Sequence, residues 1–519
     1  MPRPALAAPA LAAALLACGG GGGGPPPPPV PYGAPVLLWK DGGCTSSCQT
    51  GWYGSPAAVD LDGDGAPEVV WASHDAVALR ASDGATLWRG AGAGRSWGGP
   101  VVADLDGDGA PEIAVGRGGG SLTVYGAAGD VVRTLSPFGT AEIRALAAAD
   151  LDGDGTVEIL AGRASPGARG QVTAIDASGA TRAGWPALAP SSPGFGWGVY
   201  NQNLAAADLD GDGRREILAP SDVHHVMAFR RDAAELPANA RYGAGKVWSQ
   251  VGVHVDDAAD LRGFANCETE RRPNFADAPA SIADLDGDGT REVVIVGNVY
   301  DCSADPYRSL YRMPFVLGAD RSRWRAGPFD WTVLPAPGPG SGPRSEDFAV
   351  VESAMPNPVL ADLDGDGRKE ILFASYDGKV HAYGLDRAEP PGWPHVLPGA
   401  GIRFASEPAV ADLDGDGRAE VLFTTWSEKA ARGTGSLVVV DARGRRVHEV
   451  ALPAPAGGGR WNGALGAPTL ANLDAGPELE VLVGTVATGV VAYRIPGSTA
   501  AGIRWGTGRG NVRRDGTGP

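Results

Sequence analysis

One nine-residue pattern, Asp-Leu-Asp-Gly-Asp-Gly-x-x-Glu, starts at Asp60, Asp104, Asp150, Asp208, Asp284, Asp362 and Asp412. An eroded eighth copy runs from Asn472 to Glu480. Successive starts lie 44, 46, 58, 76, 78, 50 and 60 residues apart. A motif returning at such intervals marks an array of like structural units, and any fold proposed for the chain must repeat with it.

Carboxylates at positions 1, 3 and 5 of a tight loop can face one centre. Glycine at position 6 permits the turn, position 7 offers a backbone carbonyl, and position 9 adds a fourth carboxylate. An acid-rich, all-oxygen cage suits Ca²⁺, which takes ~6–8 oxygen ligands, better than Mg²⁺, which demands a stricter octahedron. No His or Cys lies inside the loops, which argues against zinc or copper. The rival is an Asp/Gly-rich turn that binds nothing, a reading that seven intact copies disfavour. The eighth copy has Asn at position 1 and no acid at position 5, so it is expected to be weak or empty.

The loop begins like an EF-hand, but an EF-hand needs a bidentate Glu at position 12 and flanking helices. Position 12 is Trp71, Val115, Ala161 and Ala219 in the first four copies. The residues after each Glu, such as Val69-Val70-Trp71 and Val293-Val294-Ile295-Val296, are short β-branched runs typical of buried strands.

Glycine and proline, 79 and 43 residues, make about a quarter of the chain, a level compatible with disorder. Evenly spaced apolar runs argue instead for short strands joined by turns. The net charge of −17 disfavours nucleic acid and anionic membrane surfaces as partners. The seven intact loops hold 28 of the 61 acids, so seven Ca²⁺ ions would cancel most of that charge. Without metal the clusters repel, and folding is expected to be linked to Ca²⁺ binding.

Residues 1–17 carry Arg3 and then an Ala/Leu run too short to span a bilayer, the pattern of an export signal. Its end, Leu15-Leu16-Ala17-Cys18, resembles the lipobox of bacterial lipoprotein signals, which implies cleavage before Cys18 and its acylation; an ordinary cleavable signal is the alternative. Residues 18–35 then form a Gly/Pro tether, unable to bury a core. The folded body is expected over residues 36–519, displayed from a bacterial membrane on the periplasmic or outer side and touching it only through the lipid. In an exported protein the remaining cysteines favour two disulfides, Cys44 with Cys48 and Cys267 with Cys302, with buried free thiols as the alternative.

Each repeat reads as an apolar approach, the acidic loop, an apolar run, a Gly-bearing turn and further strands, often with a tryptophan, as at Thr86-Leu87-Trp88 and Gly392-Trp393-Pro394. Four short strands per ~40–50 residues matches a β-propeller blade. With approaches such as Trp52-Tyr53-Gly54-Ser55-Pro56 and Trp97-Gly98-Gly99-Pro100, the repeat resembles the FG-GAP/VCBS family, the calcium-loop blades also found in the integrin alpha-subunit head. The resemblance covers residues from about 36 to about 500. It implies an all-β, single propeller of four-stranded blades, eight by motif count, with seven as the alternative.

Carried over position by position, the resemblance implies as structural Ca²⁺ ligands Asp60, Asp62, Asp64 and Glu68; Asp104, Asp106, Asp108 and Glu112; Asp150, Asp152, Asp154 and Glu158; Asp208, Asp210, Asp212 and Glu216. The later copies add Asp284, Asp286, Asp288 and Glu292; Asp362, Asp364, Asp366 and Glu370; Asp412, Asp414, Asp416 and Glu420. Such ions lock a hairpin and hold neighbouring blades. The ring is expected to close through Val36–Trp39 completing the last blade, or alternatively through Ile503-Arg504-Trp505.

Two overlong repeats place extra chain around Val223–Asn274 and Asn298–Ser353, with His224, His225, His254, Arg271, Tyr300, Tyr307, Tyr311, Arg312, Trp324 and Trp331. One reading makes these a ligand surface of exposed aromatics and arginines; the other makes them loop packing. His224 and His225, beside a strand, are expected to face opposite sides and not to share a metal. No H-E-x-x-H, G-x-S-x-G or phosphate loop occurs, so catalysis has no motif to support it. The expected function is a surface binding or adhesion module for protein or glycan, ahead of a scaffold in an envelope complex. A calcium-dependent polysaccharide lyase comes third, with His254, Arg271 or Tyr307 as conceivable but unselected participants.

Overall fold

The computed structural model describes residues 32–44, 54–90, 92, 94–164, 170–186, 198–221, 224–266, 270–300, 311–336, 357–375, 377–397, 402–427 and 433–518. Eight small antiparallel sheets form an eight-bladed β-propeller. The inner strands, which number the blades 1 to 8, are Ala57–Val59, Val101–Ala103, Ile143–Ala149, Ala205–Ala207, Ala280–Ala283, Val359–Ala361, Ala409–Ala411 and Thr469–Ala471. Alanine dominates them because eight strands crowd towards one axis, where only small side chains fit the taper.

The second strands, such as Glu112–Gly116 and Glu420–Ser427, are buried along their whole length. Each lies between two neighbouring blades, so both faces need apolar residues, and the sequence shows continuous runs rather than alternation. Only at the rim does alternating exposure return, as in Val131–Leu135 and Arg446–Ala451. The core is accordingly a ring of interblade clusters. Trp39, Trp71 and Leu79 meet Leu473 and Leu482 between blades 1 and 8, and Leu160 and Val172 meet Ile217 and Met227 between blades 3 and 4.

Tryptophans near the rim latch five of the eight blades to the next. The indole N–H donates to a turn carbonyl of the following blade from Trp39 to Ala81 (2.7 Å), Trp88 to Ala127 (2.9 Å), Trp185 to Arg231 (2.9 Å), Trp331 to Leu385 (3.0 Å) and Trp393 to Ala442 (3.0 Å). The ring lies so close to the receiving turn that a Cβ on Gly129 would come within 2.5 Å of Trp88. That glycine, at φ 85°, is therefore fixed by both space and backbone.

The N-terminal strand Val36–Gly42 pairs with Val490–Ile495 and completes blade 8, so the first of the two closure expectations holds and the seven-blade alternative does not. Ordered packing begins earlier, within the stretch assigned to the tether: Tyr32 stacks edge-on to His448, and Gly33 donates to Pro496 O at 2.6 Å.

Ile503–Trp505 does something the sequence did not announce. It pairs with the inner strand of blade 7, and the chain beyond it circles the inside of the ring. Leu470 N of blade 8 donates to Gly506 O (2.7 Å), Val102 N of blade 2 to Val512 O (3.0 Å) and Ala148 N of blade 3 to Arg513 O (2.8 Å). Ala206 N of blade 4 donates to Asp515 O (2.8 Å) and Ile282 N of blade 5 to Gly516 O (2.9 Å). Two arginines with no exposed surface, Arg509 and Arg514, pin the segment. Arg514 donates to Ser55 O (3.0 Å), Pro56 O (2.9 Å) and Pro100 O (3.2 Å), and Arg509 to Leu204 O (2.8 Å) and Ser281 Oγ (3.2 Å). Buried Glu407 answers with its Oε1, which accepts from Arg509 N (2.8 Å) and Trp505 Nε1 (3.1 Å). Burial lowers both guanidinium pKa values to about 10, so both stay charged at neutral pH. The axis of the propeller is filled by its own chain.

Candidate metal centres

Every intact acidic loop joins an inner strand to the second strand of its blade, as between Ala57–Val59 and Glu68–Ala72. In all seven, the first Asp accepts from the position-4 glycine N–H at 2.7–2.8 Å and from the position-6 glycine N–H at 2.9–3.0 Å. The Glu at position 9 accepts from the position-2 Leu N–H at 2.8–3.0 Å. These bonds set the carboxylates before any ion arrives. Oxygens of Asp60, Asp62 and Glu68 lie within 4.8 Å of one another, as do those of Asp208, Asp210 and Glu216, and of Asp284, Asp286 and Glu292.

The electrostatics match the geometry. Burial, and then the neighbouring aspartates, push the carboxyls of Glu216, Glu292 and Glu370 up to about 7 and that of Glu420 up to about 8. A cation at the centre relieves that stress. The all-oxygen donor set fits Ca²⁺, and the residues present would hold it with no nitrogen or sulfur ligand.

Adjacent loops also touch. The position-8 N–H groups of Arg215, Lys369 and Ala419 donate to the position-2 carbonyls of the preceding loops, Leu151 (3.1 Å), Leu285 (2.9 Å) and Leu363 (2.9 Å). A Cβ on Gly365 would meet Gly417 O at 2.8 Å. An ion that fixes one loop therefore also steadies its neighbour.

The eighth loop differs as its sequence implies. Arg494, on the strand facing it, donates to Glu480 at 2.8 Å and to Asp474. A guanidinium thus sits against the position-3 and position-9 carboxylates.

The sequence model of the FG-GAP-like repeat matches residues 60–115, 104–161 and 362–423, and each matched stretch holds acidic loops on the inner edge of a blade. The chain is an FG-GAP-repeat β-propeller. The biofilm matrix protein Bap1 of V. cholerae is similar to this FG-GAP propeller over 94% of this chain and 96% of its own, at 16% identity and a TM-score of 0.53. A rhamnogalacturonan lyase of Bacillus licheniformis is similar over 90% of this chain and 76% of its own, at 17% identity and a TM-score of 0.47. The first likeness speaks for the fold alone, and the second is too loose to carry an argument. No curated protein sequence matches the chain.

Among the described residues of the two insertions, several of the side chains singled out from the sequence are packed rather than displayed, whereas Arg271 and Phe264 are exposed. Tyr311, Arg312, Trp324, Trp331 and His254 are all buried, which removes them from any surface of exposed aromatics. Asp260, on the short helix Asp257–Arg262 of the first insertion, binds Arg321 (3.1 Å) and Arg323 (2.8 Å) of the second. These arginines hold the buried carboxyl below its usual range against the opposing effect of burial. His254 Nδ1 lies 3.1 Å from Asp260, so it is a packed member of this ion cluster and unsuited to serve as an accessible base. His224 corrects another expectation. A left-handed turn at φ 51° brings its ring 4.3 Å from His225 and 5.3 Å from His254, so the pair shares one side. Cys44 is disulfide-bonded; Cys18, Cys48, Cys267, Cys302, Tyr307 and the side chain of Tyr300 lie outside the described residues.

A titratable cluster stands in blade 6. His381 Nδ1 lies 2.9 Å from Glu389 and Nε2 lies 3.2 Å from Asp377, with Lys379 4.0 Å from Asp377 and Tyr383 stacked alongside. Burial alone lowers the imidazole pKa, but bonds to both carboxylates push it up to about 9. Because the folded value exceeds the ordinary ~6.5, the stabilisation is complete below pH ~6.5 and is lost as pH rises through 9. The melting temperature is expected to fall over that window, and the fall to flatten in His381→Gln. An equal slope in the two proteins contradicts this assignment.

Proposed function

We propose that this FG-GAP propeller is an exported, lipid-anchored, Ca²⁺-stabilised module that binds protein or glycan at the cell envelope or surface. The observation that carries this reading is the filled axis. With residues 503–518 occupying the channel, a partner meets the protein on its outer faces, and a rigid ring presenting loops is a scaffold suited to recognition. The Ca²⁺ ions serve the ring by locking loops and neighbouring blades. Acylation at Cys18 and the Gly/Pro stretch after it supply anchor and spacing.

The test joins anchoring to binding. Cells producing the protein are compared with cells producing Cys18→Ser, by membrane fractionation and by retention of envelope polysaccharide and protein on the purified Ca²⁺-loaded body. The reading expects wild type in the membrane fraction, Cys18→Ser released, and retention that is lost with EGTA. Equal fractionation contradicts the anchor, and no retention from any envelope fraction contradicts the binding role.

A further inference from the structure

In the eighth loop, whose eroded sequence is expected to hold an ion weakly or not at all, Arg494 brings a guanidinium against Asp474 and Glu480. The third loop carries the same arrangement although its sequence is intact. Arg182 Nη2 donates to Asp152 at 2.7 Å, and its Nη1 donates to Glu158. These are again the third and ninth positions. A second guanidinium, Arg231, lies 3.4 Å from Asp152.

The two solutions have different origins. Arg494 stands on the strand Val490–Ile495, directly opposite Glu480. Arg182 follows the strand Val172–Ile175, where its backbone N–H binds Ala174 O at 2.9 Å. Among the described residues no other loop is bridged this way. Arg80, opposite Glu68 in the register that places Arg494 opposite Glu480, turns instead to Asp83 at 3.0 Å. Arg214 and Arg368 reach only the fifth positions, Asp212 and Asp366.

We propose that Arg182 is the resident cation of loop 3, and that the loaded protein holds six Ca²⁺ ions, in loops 1, 2, 4, 5, 6 and 7. A guanidinium stays protonated at neutral pH, and charge-assisted bonds to two carboxylates supply the neutralisation an ion would bring. The side chains are sheltered, with Arg182 20%, Asp152 16% and Glu158 3% exposed. An entering Ca²⁺ must break both bonds and sit beside a fixed positive charge in a site screened poorly by water. The motif alone cannot report this, since the blocking residue lies 24 residues beyond Glu158.

The inference rests on the calcium reading of the other loops, and the experiment separates the two. Full-length protein is stripped with EGTA, reloaded, and its tightly bound Ca²⁺ counted by equilibrium dialysis with mass-spectrometric detection. Wild type is expected to hold six ions and Arg182→Gln seven. Seven in wild type overturns the inference and leaves the calcium reading intact, whereas none in either protein overturns both. Six in folded Arg182→Gln also overturns it. Asp152→Asn covers the case in which Arg182→Gln does not fold: its count stays at the wild-type value if loop 3 holds no ion, and drops by one if it does.

Discussion

Deleting residues 503–518 is expected to abolish the cooperative melt of the native ring. The segment accepts hydrogen bonds from inner-strand N–H groups of blades 2, 3, 4, 5 and 8 and pairs with blade 7. It also contributes Trp505, Arg509 and Arg514, none with exposed surface. A buried polar group left without a partner costs about 1–3 kcal/mol, and losing a buried tryptophan side chain costs about 3–5 kcal/mol. Water entering the channel recovers part of the first cost, yet the total still rivals the ~5–15 kcal/mol by which domains are stable. A milder version is Arg514→Met, which takes the guanidinium donor from the Ser55 and Pro100 carbonyls, while Pro56 O keeps the Thr469 hydroxyl at 2.7 Å. The substitution is expected to cost about 1–3 kcal/mol for each buried carbonyl left unpaired, read as a lower urea midpoint. A truncated protein that unfolds at the wild-type midpoint would show that the tail merely occupies the channel.

Asp364→Asn is expected to act with opposite signs in the presence and absence of calcium. Asp364 Oδ1 accepts from Asp366 N at 3.2 Å, a bond that an asparagine oxygen can keep, so the substitution removes charge and leaves the turn. In saturating Ca²⁺ the variant loses most of the linkage from one site, about 2.7 kcal/mol for an ion present at 100 times its dissociation constant. In EGTA the same change removes one of four clustered acids, and Glu370, whose carboxyl burial and the three aspartates push up to about 7, is relieved. The variant should then melt no lower than wild type and slightly above it. Equal destabilisation in both conditions would make loop 6 an ordinary turn.

Much of the architecture was legible because its causes are local. The acids and glycines of each loop, the unbroken apolar run after each Glu and the strand at Val36 all carry their role in their own residue types. What escaped depends on partners far away in sequence. Residues 506–518 have almost no apolar pattern, and their place is set by backbone groups and by two arginines whose acceptors lie up to 459 residues away. The insertion aromatics stay open between an exposed surface and loop packing because composition does not say which loop covers which; Trp331 donates to Leu385 and is sealed by blade 6. Strand alternation fails for the His224–His225 pair because a single positive φ overrides it. Arg182 and Arg494 look like any other arginine until the fold sets them against an acidic loop.

Thermal unfolding of the purified protein with Ca²⁺ titrated against EGTA decides whether the whole ring depends on calcium. The melting temperature is expected to climb steeply with free Ca²⁺ and to level off once the loops are filled, with Mg²⁺ a poor substitute. A melting temperature unmoved by Ca²⁺ across the titration would contradict that dependence and leave the seven loops as turns without an ion.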